Sequence, residues 1–322
     1  MNIAVIGSGY WGKNIVRNYY ELGSLYAICE IDEERRNQLS EQYPDTKLYA
    51  SFNDLLADKN VAGIAIATPA HTHYELAKQS LEAGFPTYVE KPVTLNLKDA
   101  EDLRLLAEKK SLPFMVGHIL EYHPAIVKMK ELVEEGSLGQ VKHIRCTRVN
   151  LGKIRDKENI WWSFAPHDLS IIFSLINEEP EKIQAASFKP LNEGIEDTVY
   201  ADLGFASGKS AHIHVSWLEP IKLHQTVVVC EKAMIVFNDT LKEDKLMVYR
   251  YEYDNKTPNL TKESEESVKY EEGQPLKIEC QHFMDCIKNN ATPRTDGKSA
   301  SRIIKVIEYV DNELKSISKV TV

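Results

Sequence analysis

Several features that define whole classes of protein are missing from this sequence. Its five cysteines, an odd number in a chain of 322 residues, form no CxxC pair, so no disulfide framework is expected. No apolar run approaches the roughly 18 residues of a membrane helix. Met1 leads directly into a strand-like segment at residues 2–6, without the charged and apolar regions of a signal peptide. We therefore expect a cytoplasmic protein with no membrane partner.

A surplus of basic charge is missing as well. The chain has 39 Lys and Arg against 48 Asp and Glu, a net charge of -9. No general positive field draws it towards nucleic acid, so an anionic ligand must be held by a few local groups. With 43% hydrophobic and 27% charged residues, the composition is that of a globular protein, and the length fits two domains.

Residues 1–121 alternate between short apolar segments and helical stretches. Strands are predicted at 3–6, 25–29, 63–67, 86–89 and 113–116, and helices at 12–21, 33–41, 73–83 and 97–109. Such alternation is typical of right-handed crossovers in a doubly wound parallel sheet. We predict an α/β domain of the Rossmann type over residues 1–121.

The pattern changes from residue 122 onwards. A helix is predicted at 123–135, a long strand at 140–151, and a further helix after Asp168. Strands at 182–188, 198–205, 210–217, 225–230, 234–238 and 245–253 follow, then an exposed loop or ribbon at 254–273 and helices at 276–289 and 297–314. Residues 122–322 are thus predicted to form an α+β domain with a large, mostly antiparallel open sheet. Packing of its last helices on the first domain remains an alternative. A sheet with one uncovered face also predicts a homo-oligomer, a dimer or tetramer.

A GxGxxG motif, Gly7-Ser8-Gly9-Tyr10-Trp11-Gly12, lies between the first predicted strand and the first helix. In this context Gly7 permits a tight turn, Gly9 lets the backbone approach a pyrophosphate, and Gly12 lets the helix pack on the strand. The helix N-terminus offers N–H groups to the anion. The motif predicts a dinucleotide site that includes Tyr10 and Trp11.

The acidic residue expected after the second strand is Glu30. A carboxylate there accepts hydrogen bonds from ribose hydroxyls and repels a 2′-phosphate, which favours NAD over NADP. Arg35 and Arg36 leave the NADP alternative open, since an arginine near this position is able to accept the phosphate.

Two further segments follow predicted strands at the edge where such sheets bind ligands. Thr68 and Pro69 come after the third of these strands, and His73 follows as part of an HxH pair with His71. No third metal ligand is evident, so we predict no metal site. Glu90-Lys91-Pro92 ends the next strand and places Lys91 beside the expected nicotinamide, where it is able to take part in proton transfer.

These motifs resemble the Gfo/Idh/MocA family, the glucose–fructose oxidoreductase and inositol dehydrogenase family, over essentially the whole chain. The segments Val116-Gly117-His118, Tyr122-His123-Pro124 and Gly136-Ser137-Leu138-Gly139 match the family as well. The resemblance implies NAD as cofactor and a catalytic role for the EKP lysine, Lys91. The family usually carries DxGxH in its second domain, which implies a catalytic role for His167, while Ser163 occupies the aspartate position. A serine is unable to orient a proton relay by charge.

The predicted substrate site combines both domains. Its members are Lys91, Tyr122, Arg148, Asn150, Lys153, Trp162, Ser163 and His167. Residues 161–168 resemble the nucleotide-sugar 3-dehydrogenases of the family that act on substrates of the UDP-N-acetylglucosamine type. Arg148, Lys153 and Arg155 are candidates for diphosphate contacts.

The sequence therefore predicts an NAD-dependent oxidoreductase that oxidises a ring hydroxyl, at C3, of a sugar or nucleotide sugar. An NAD(P)H-dependent 3-ketosugar reductase, or an inositol or glucose dehydrogenase, remains an alternative. A non-catalytic NAD(H)-binding sensor is the alternative from another class.

Overall fold

The computed structural model describes residues 1–152, 154, 158–191, 194–254, 256–257 and 259–317. The strands are β1 Ile3–Ile6, β2 Leu25–Cys29, β3 Lys47–Tyr49, β4 Gly63–Ile66, β5 Thr87–Glu90, β6 Phe114–Gly117, β7 Val141–Leu151, β8 Pro180–Phe188, β9 Thr198–Phe205, β10 Ser210–Ser216, β11 Leu218–Cys230, β12 Ala233–Asn238, β13 Leu246–Asp254 and β14 Asn259–Ser267. The helices are α1 Gly12–Glu21, α2 Glu33–Gln42, α3 Phe52–Leu56, α4 His73–Glu82, α5 Leu97–Lys110, α6 Pro124–Glu134, α7 Ile160–Leu175, α8 Pro275–Asn289 and α9 Gly297–Ile317. Two compact units emerge: the first comprises Met1–Tyr122 and Gly273–Lys305, the second His123–Glu272 and Val306–Val322.

The first unit contains a six-stranded sheet in the order β3-β2-β1-β4-β5-β6, in which every pair is parallel. This is the strand order of a Rossmann sheet, so the predicted fold class is confirmed. The sequence pattern missed β3 and α3. A strand of three residues at a sheet edge is only partly buried and carries no apolar run that would reveal it.

The core of the first unit lies between the sheet and α1, and α8 completes it. Leu276, Cys280, Phe283 and Met284 of α8 join one buried apolar cluster with residues of β1, β2 and α1. Gly63 of β4 leaves room for α8, because a Cβ built there would lie 2.6 Å from Ile287 Cδ1. The chain thus returns to the first unit long after leaving it.

The second unit contains an eight-stranded sheet in the order β14-β13-β12-β11-β7-β10-β9-β8. Only β7 and β10 pair in parallel and the other neighbours are antiparallel, which confirms the predicted mostly antiparallel sheet. Helix α7 packs on β7, β9 and β10, and α6 packs on β12 and α7. The predicted ribbon at 254–273 includes β14, whose side chains are almost all exposed.

The prediction that a helix follows Asp168 is wrong, because α7 begins eight residues before it, at Ile160. Asn159 caps this helix and accepts a hydrogen bond from the Trp162 N–H at 3.1 Å. Pro166 lies inside the helix, where it removes one backbone donor and its ring crowds the carbonyl of Trp162, one turn earlier. Asp168 is consequently a buried residue in the middle of the helix.

The face of the large sheet opposite α7 carries half-buried polar side chains. Tyr200 stacks on His214 with ring centroids 4.3 Å apart, and His212 Nδ1 lies 2.8 Å from Asp202 Oδ1. In the part of the chain that the structure describes, no group of three His, Cys, Asp or Glu side chains is placed to hold a metal ion. All five cysteines are buried and unpaired.

Candidate active site

The glycine loop after β1 forms an open turn at the start of α1. Gly7 has a φ of +84°, and a Cβ at Gly12 would lie only 2.2 Å from Gly7 O, so both positions require glycine. A Cβ at Gly9 would meet only Arg35 Nη1, at 3.9 Å, which leaves space above the loop. No side chain caps α1 and no acidic residue lies in its first turn. The turn therefore suits the pyrophosphate of a dinucleotide.

Tyr10 and Trp11 differ in their surroundings within this loop. Tyr10 is almost fully exposed, whereas the Trp11 indole donates a hydrogen bond of 2.6 Å to Glu90 Oε1. Trp11 thus ties the glycine loop to the end of β5.

Glu30 is buried beside the same loop. Its carboxylate accepts hydrogen bonds from the Ser8 hydroxyl at 2.7 Å and the Ser8 N–H at 3.0 Å. Burial alone would raise the pKa of Glu30, but these bonds and the Arg35 charge lower it below its ordinary value. Glu30 is therefore ionised at neutral pH, as a partner of ribose hydroxyls needs to be. Arg36 donates to the carbonyl oxygens of Glu30 and Ile31, while Arg35 lies 3.4 Å from Glu30.

His73 links the loops that follow β4 and β5. Its Nε2 lies 2.8 Å from Thr68 O and its Nδ1 lies 2.8 Å from Pro92 O, with 1% of the residue exposed. Burial lowers the pKa of His73, although both carbonyl contacts oppose that change. A neutral ring has one N–H and donates to only one of these two carbonyl oxygens, so His73 packs between the Thr68–Pro69 loop and the Lys91–Pro92 turn and is hydrogen-bonded to one of them.

The end of β5 holds Glu90 and Lys91 in a ring of polar contacts. Glu90 accepts hydrogen bonds from Trp11, from the Tyr88 hydroxyl at 2.8 Å and from the Lys91 N–H at 3.1 Å. Buried His118 lies near Lys91, and burial together with the Lys91 charge lowers the pKa of His118 to about 3. His118 is therefore neutral, and its Nδ1 has no hydrogen-bond partner among the described residues.

Tyr122 has a structural place in the first unit. It is 1% exposed, its hydroxyl lies 2.9 Å from Thr295 Oγ1, and the Arg294 guanidinium lies over its ring. No part of this side chain is presented to a substrate.

The second unit places Ser163 and His167 four residues apart on α7, and hence on one side of the helix. The next residue, Asp168, is fully buried and forms an ion pair with Arg148 of β7, with contacts of 2.9 and 3.1 Å. Burial raises the pKa of Asp168, and the guanidinium limits that rise. Arg148 therefore directs its Nε and Nη2 donors to Asp168.

Other predicted members lie around this ion pair. Asn150 of β7 has a buried Oδ1 without a hydrogen-bond partner among the described residues. Trp162 is half-buried, whereas Trp161 is fully buried and donates to Ile307 O. Lys153 and Arg155 lie outside the described residues.

Two family models match the chain. The oxidoreductase family with an NAD-binding Rossmann fold matches residues 1–118, and the GFO/IDH/MocA C-terminal domain matches residues 126–236. The chain belongs to the Gfo/Idh/MocA oxidoreductase family. It is therefore an NAD-dependent oxidoreductase, in agreement with the open glycine turn and the ionised Glu30.

Named members of the Gfo/Idh/MocA family extend along most of the chain. UDP-N-acetylglucosamine 3-dehydrogenase of Acidithiobacillus ferrooxidans is 24% identical over 308 residues, covering 94% of each chain. Its solved structure has a TM-score of 0.86 at 21% identity and covers 98% of each chain. Myo-inositol 2-dehydrogenase of Thermotoga maritima is 26% identical over 260 residues, covering 77% of this chain and 78% of the relative.

The sequence pattern did not identify His224, a polar residue close to Arg148 in the second unit. His224 of β11 lies opposite Arg148 in register, its ring lies edge-on to Phe164, and its buried Nε2 has no hydrogen-bond partner among the described residues. Burial and the Arg148 charge lower the pKa of His224 to about 4, so the ring is neutral. A period-two strand pattern gives no sign of such a residue, because its significance depends on a neighbouring strand.

Proposed function

We propose that the chain oxidises a secondary ring hydroxyl, at C3, of a sugar or nucleotide sugar such as UDP-N-acetylglucosamine. The observation that carries this proposal is the pair of family positions filled here, Lys91 after β5 and His167 on α7. A relative named for this reaction aligns along 94% of the chain, which supports the substrate class.

NAD fits the first unit, where Gly7, Gly9 and Gly12 would receive its pyrophosphate and Glu30 its ribose. When bound, the nicotinamide supplies hydride chemistry. The protein itself moves the proton: His167 removes it from the substrate hydroxyl, and Lys91 donates a hydrogen bond to the same oxygen as negative charge develops. A histidine suits this role because its ordinary pKa of about 6.5 lies near working pH.

Fewer observations support a nucleotide group on the substrate than support its sugar ring. Arg148 is engaged by Asp168, and the remaining candidate cations, Lys153 and Arg155, lie outside the described residues. A free cyclitol is the second candidate, supported by the inositol dehydrogenase relative.

The test is turnover of a panel of UDP-sugars, free sugars and inositols with NAD, followed by NADH absorbance. Lys91→Ala and His167→Ala are each expected to lower turnover at least about a hundredfold. Lys59→Ala, an exposed lysine elsewhere in the first unit, is the matched control.

Each outcome of this panel discriminates between the candidates. Turnover of inositol alone would favour the cyclitol, and activity only with a 3-ketosugar and NADH would favour the reductase. NADH binding without turnover on any member would identify a sensor. A Lys91 or His167 variant with unchanged turnover would remove that residue from the mechanism.

We also propose that the protein is a homo-oligomer in which a second copy covers the polar face of the large sheet. The half-buried side chains of that face, with His214 stacked on Tyr200, support this arrangement.

A further inference from the structure

A second carboxyl group lies behind Glu90, inside the first unit. Glu279 of α8 is 0% exposed, although it is a charged residue type. The Tyr88 hydroxyl oxygen lies between the two acids, 2.8 Å from Glu90 Oε1 and 3.3 Å from Glu279 Oε2. Gly117 adjoins this row, since a Cβ there would lie 2.5 Å from the Tyr88 hydroxyl and 3.0 Å from Glu90 Cδ.

The number of protons in this row determines its charge. A tyrosine hydroxyl carries one proton and an ionised carboxylate carries none. The shorter contact uses the Tyr88 proton, with Glu90 as acceptor. The contact with Glu279 then requires a proton on Glu279 itself. Glu279 Oε1 is buried and without a hydrogen-bond partner among the described residues, so an ionised Glu279 would be poorly solvated.

The surroundings of the two acids are unequal. The titratable groups that interact electrostatically with Glu279 are Tyr19, Tyr88, Glu90, Tyr122 and Cys280. None of these five groups carries a positive charge, and burial together with the Glu90 charge raises the pKa of Glu279 well above its usual range. Burial raises the pKa of Glu90 too, but three donors and the Lys91 charge favour its ionised form.

We propose that Glu279 is a positioning residue: as a neutral acid it donates to Tyr88, which donates to Glu90. Glu90 then keeps one negative charge beside Lys91 and holds the Trp11 indole in the cofactor loop. This role rests on the proposed function only in so far as the Glu90 charge acts on Lys91. Its first test uses folding alone and is independent of any substrate.

Glu279→Gln tests the protonation state. In the wild type the native protein keeps a proton that the unfolded chain loses above the ordinary glutamate pKa of about 4.3. A group whose pKa is raised by folding costs stability as pH rises. From about pH 5 to pH 7, the unfolding constant of the wild type relative to Glu279→Gln should therefore rise about tenfold per pH unit. Urea unfolding at several pH values measures it.

Asp285→Asn, an acid-to-amide change at an exposed position of the same helix, is the matched control and should give a ratio independent of pH. A flat ratio for Glu279→Gln as well would show that Glu279 is ionised in the native protein, and would overturn the proposal.

Tyr88→Phe tests the positioning role, because it removes the central hydroxyl while the ring stays in the core. We expect the dissociation constant for NADH to rise at least about fivefold, since about 1 kcal/mol is typical of one lost hydrogen bond. The midpoint of the kcat/KM pH profile should also move. Glu279→Gln retains a donor towards Tyr88 and should move both quantities far less than Tyr88→Phe does.

If Tyr88→Phe changes neither the affinity for NADH nor the pH profile of kcat/KM, the positioning role is overturned. Wild-type protein without sugar turnover would instead count against the proposed function, and the urea and NADH measurements would still decide the role of Glu279.

Discussion

At the scale of single residues, the clearest reassignment concerns His73. The sequence places it at the start of a helix near the cofactor, in an HxH pair with His71, and the structure places its two ring nitrogens 2.8 Å from backbone oxygens of Thr68 and Pro92. We therefore propose that His73 acts on the cofactor site through the two loops that it joins. The contact joins the loops that follow two neighbouring strands, β4 and β5, so spacing along the chain does not reveal it.

Replacing His73 with Phe should destabilise the protein by about 1–3 kcal/mol, because one of the two carbonyls, Thr68 or Pro92, loses its hydrogen-bond donor at a buried ring. We also expect weaker NADH binding, since the Thr68 and Lys91 loops are no longer held together. Urea unfolding and NADH fluorescence titration measure the two effects. His71→Phe, the same change at an exposed position, should alter stability by no more than about 0.5 kcal/mol. Equal effects of the two substitutions would show that the ring nitrogens of His73 hold nothing.

At the scale of elements, local sequence patterns predicted the strands and turns that depend on short-range backbone requirements. The glycine loop and five of the six strands of the parallel sheet follow from backbone requirements within about 30 residues, and the structure has them close to where the sequence predicted. The start of α7 was not predicted correctly, because proline is common in the first turn of helices and Pro166 therefore suggested that the helix begins there. The partner of Arg148 was also missed, since Asp168 reaches it across the interface between a helix and a sheet.

The Arg148–Asp168 pair fixes α7 on β7, and α7 carries His167. Asp168→Asn should destabilise the second unit by about 3–5 kcal/mol, because it leaves a buried guanidinium without its counter-charge. The double variant Arg148→Met/Asp168→Leu should recover part of that loss, since no buried charge then remains. Urea unfolding of Arg148→Met, of Asp168→Leu and of the double variant gives the coupling energy. Additive effects would mean that the pair contributes nothing to the docking of α7.

At the scale of the whole molecule, the net charge of -9 argues against polyanionic partners and predicts that a small anion is held by a few local groups. The structure shows why the two statements agree. We propose that the N-terminus of α1, whose first turn contains no acidic residue, receives the dinucleotide, so that no broad basic surface is needed. Among the described residues, no helix is both long and apolar enough to cross a bilayer.

The remaining feature at this scale is the polar face of the large sheet. Burial already lowers the pKa of His143 and His214 on this face, and a second copy seated there would add to that effect. Light scattering at micromolar concentration should give at least twice the mass of one chain. Tyr200→Lys, which places a charge in the middle of the face, should shift the protein towards monomers because an unpaired charge at an interface core is costly. Ala206→Glu, in the exposed turn after β9, should not. A wild-type protein that is monomeric under these conditions would leave this face open to solvent and exclude the proposed interface.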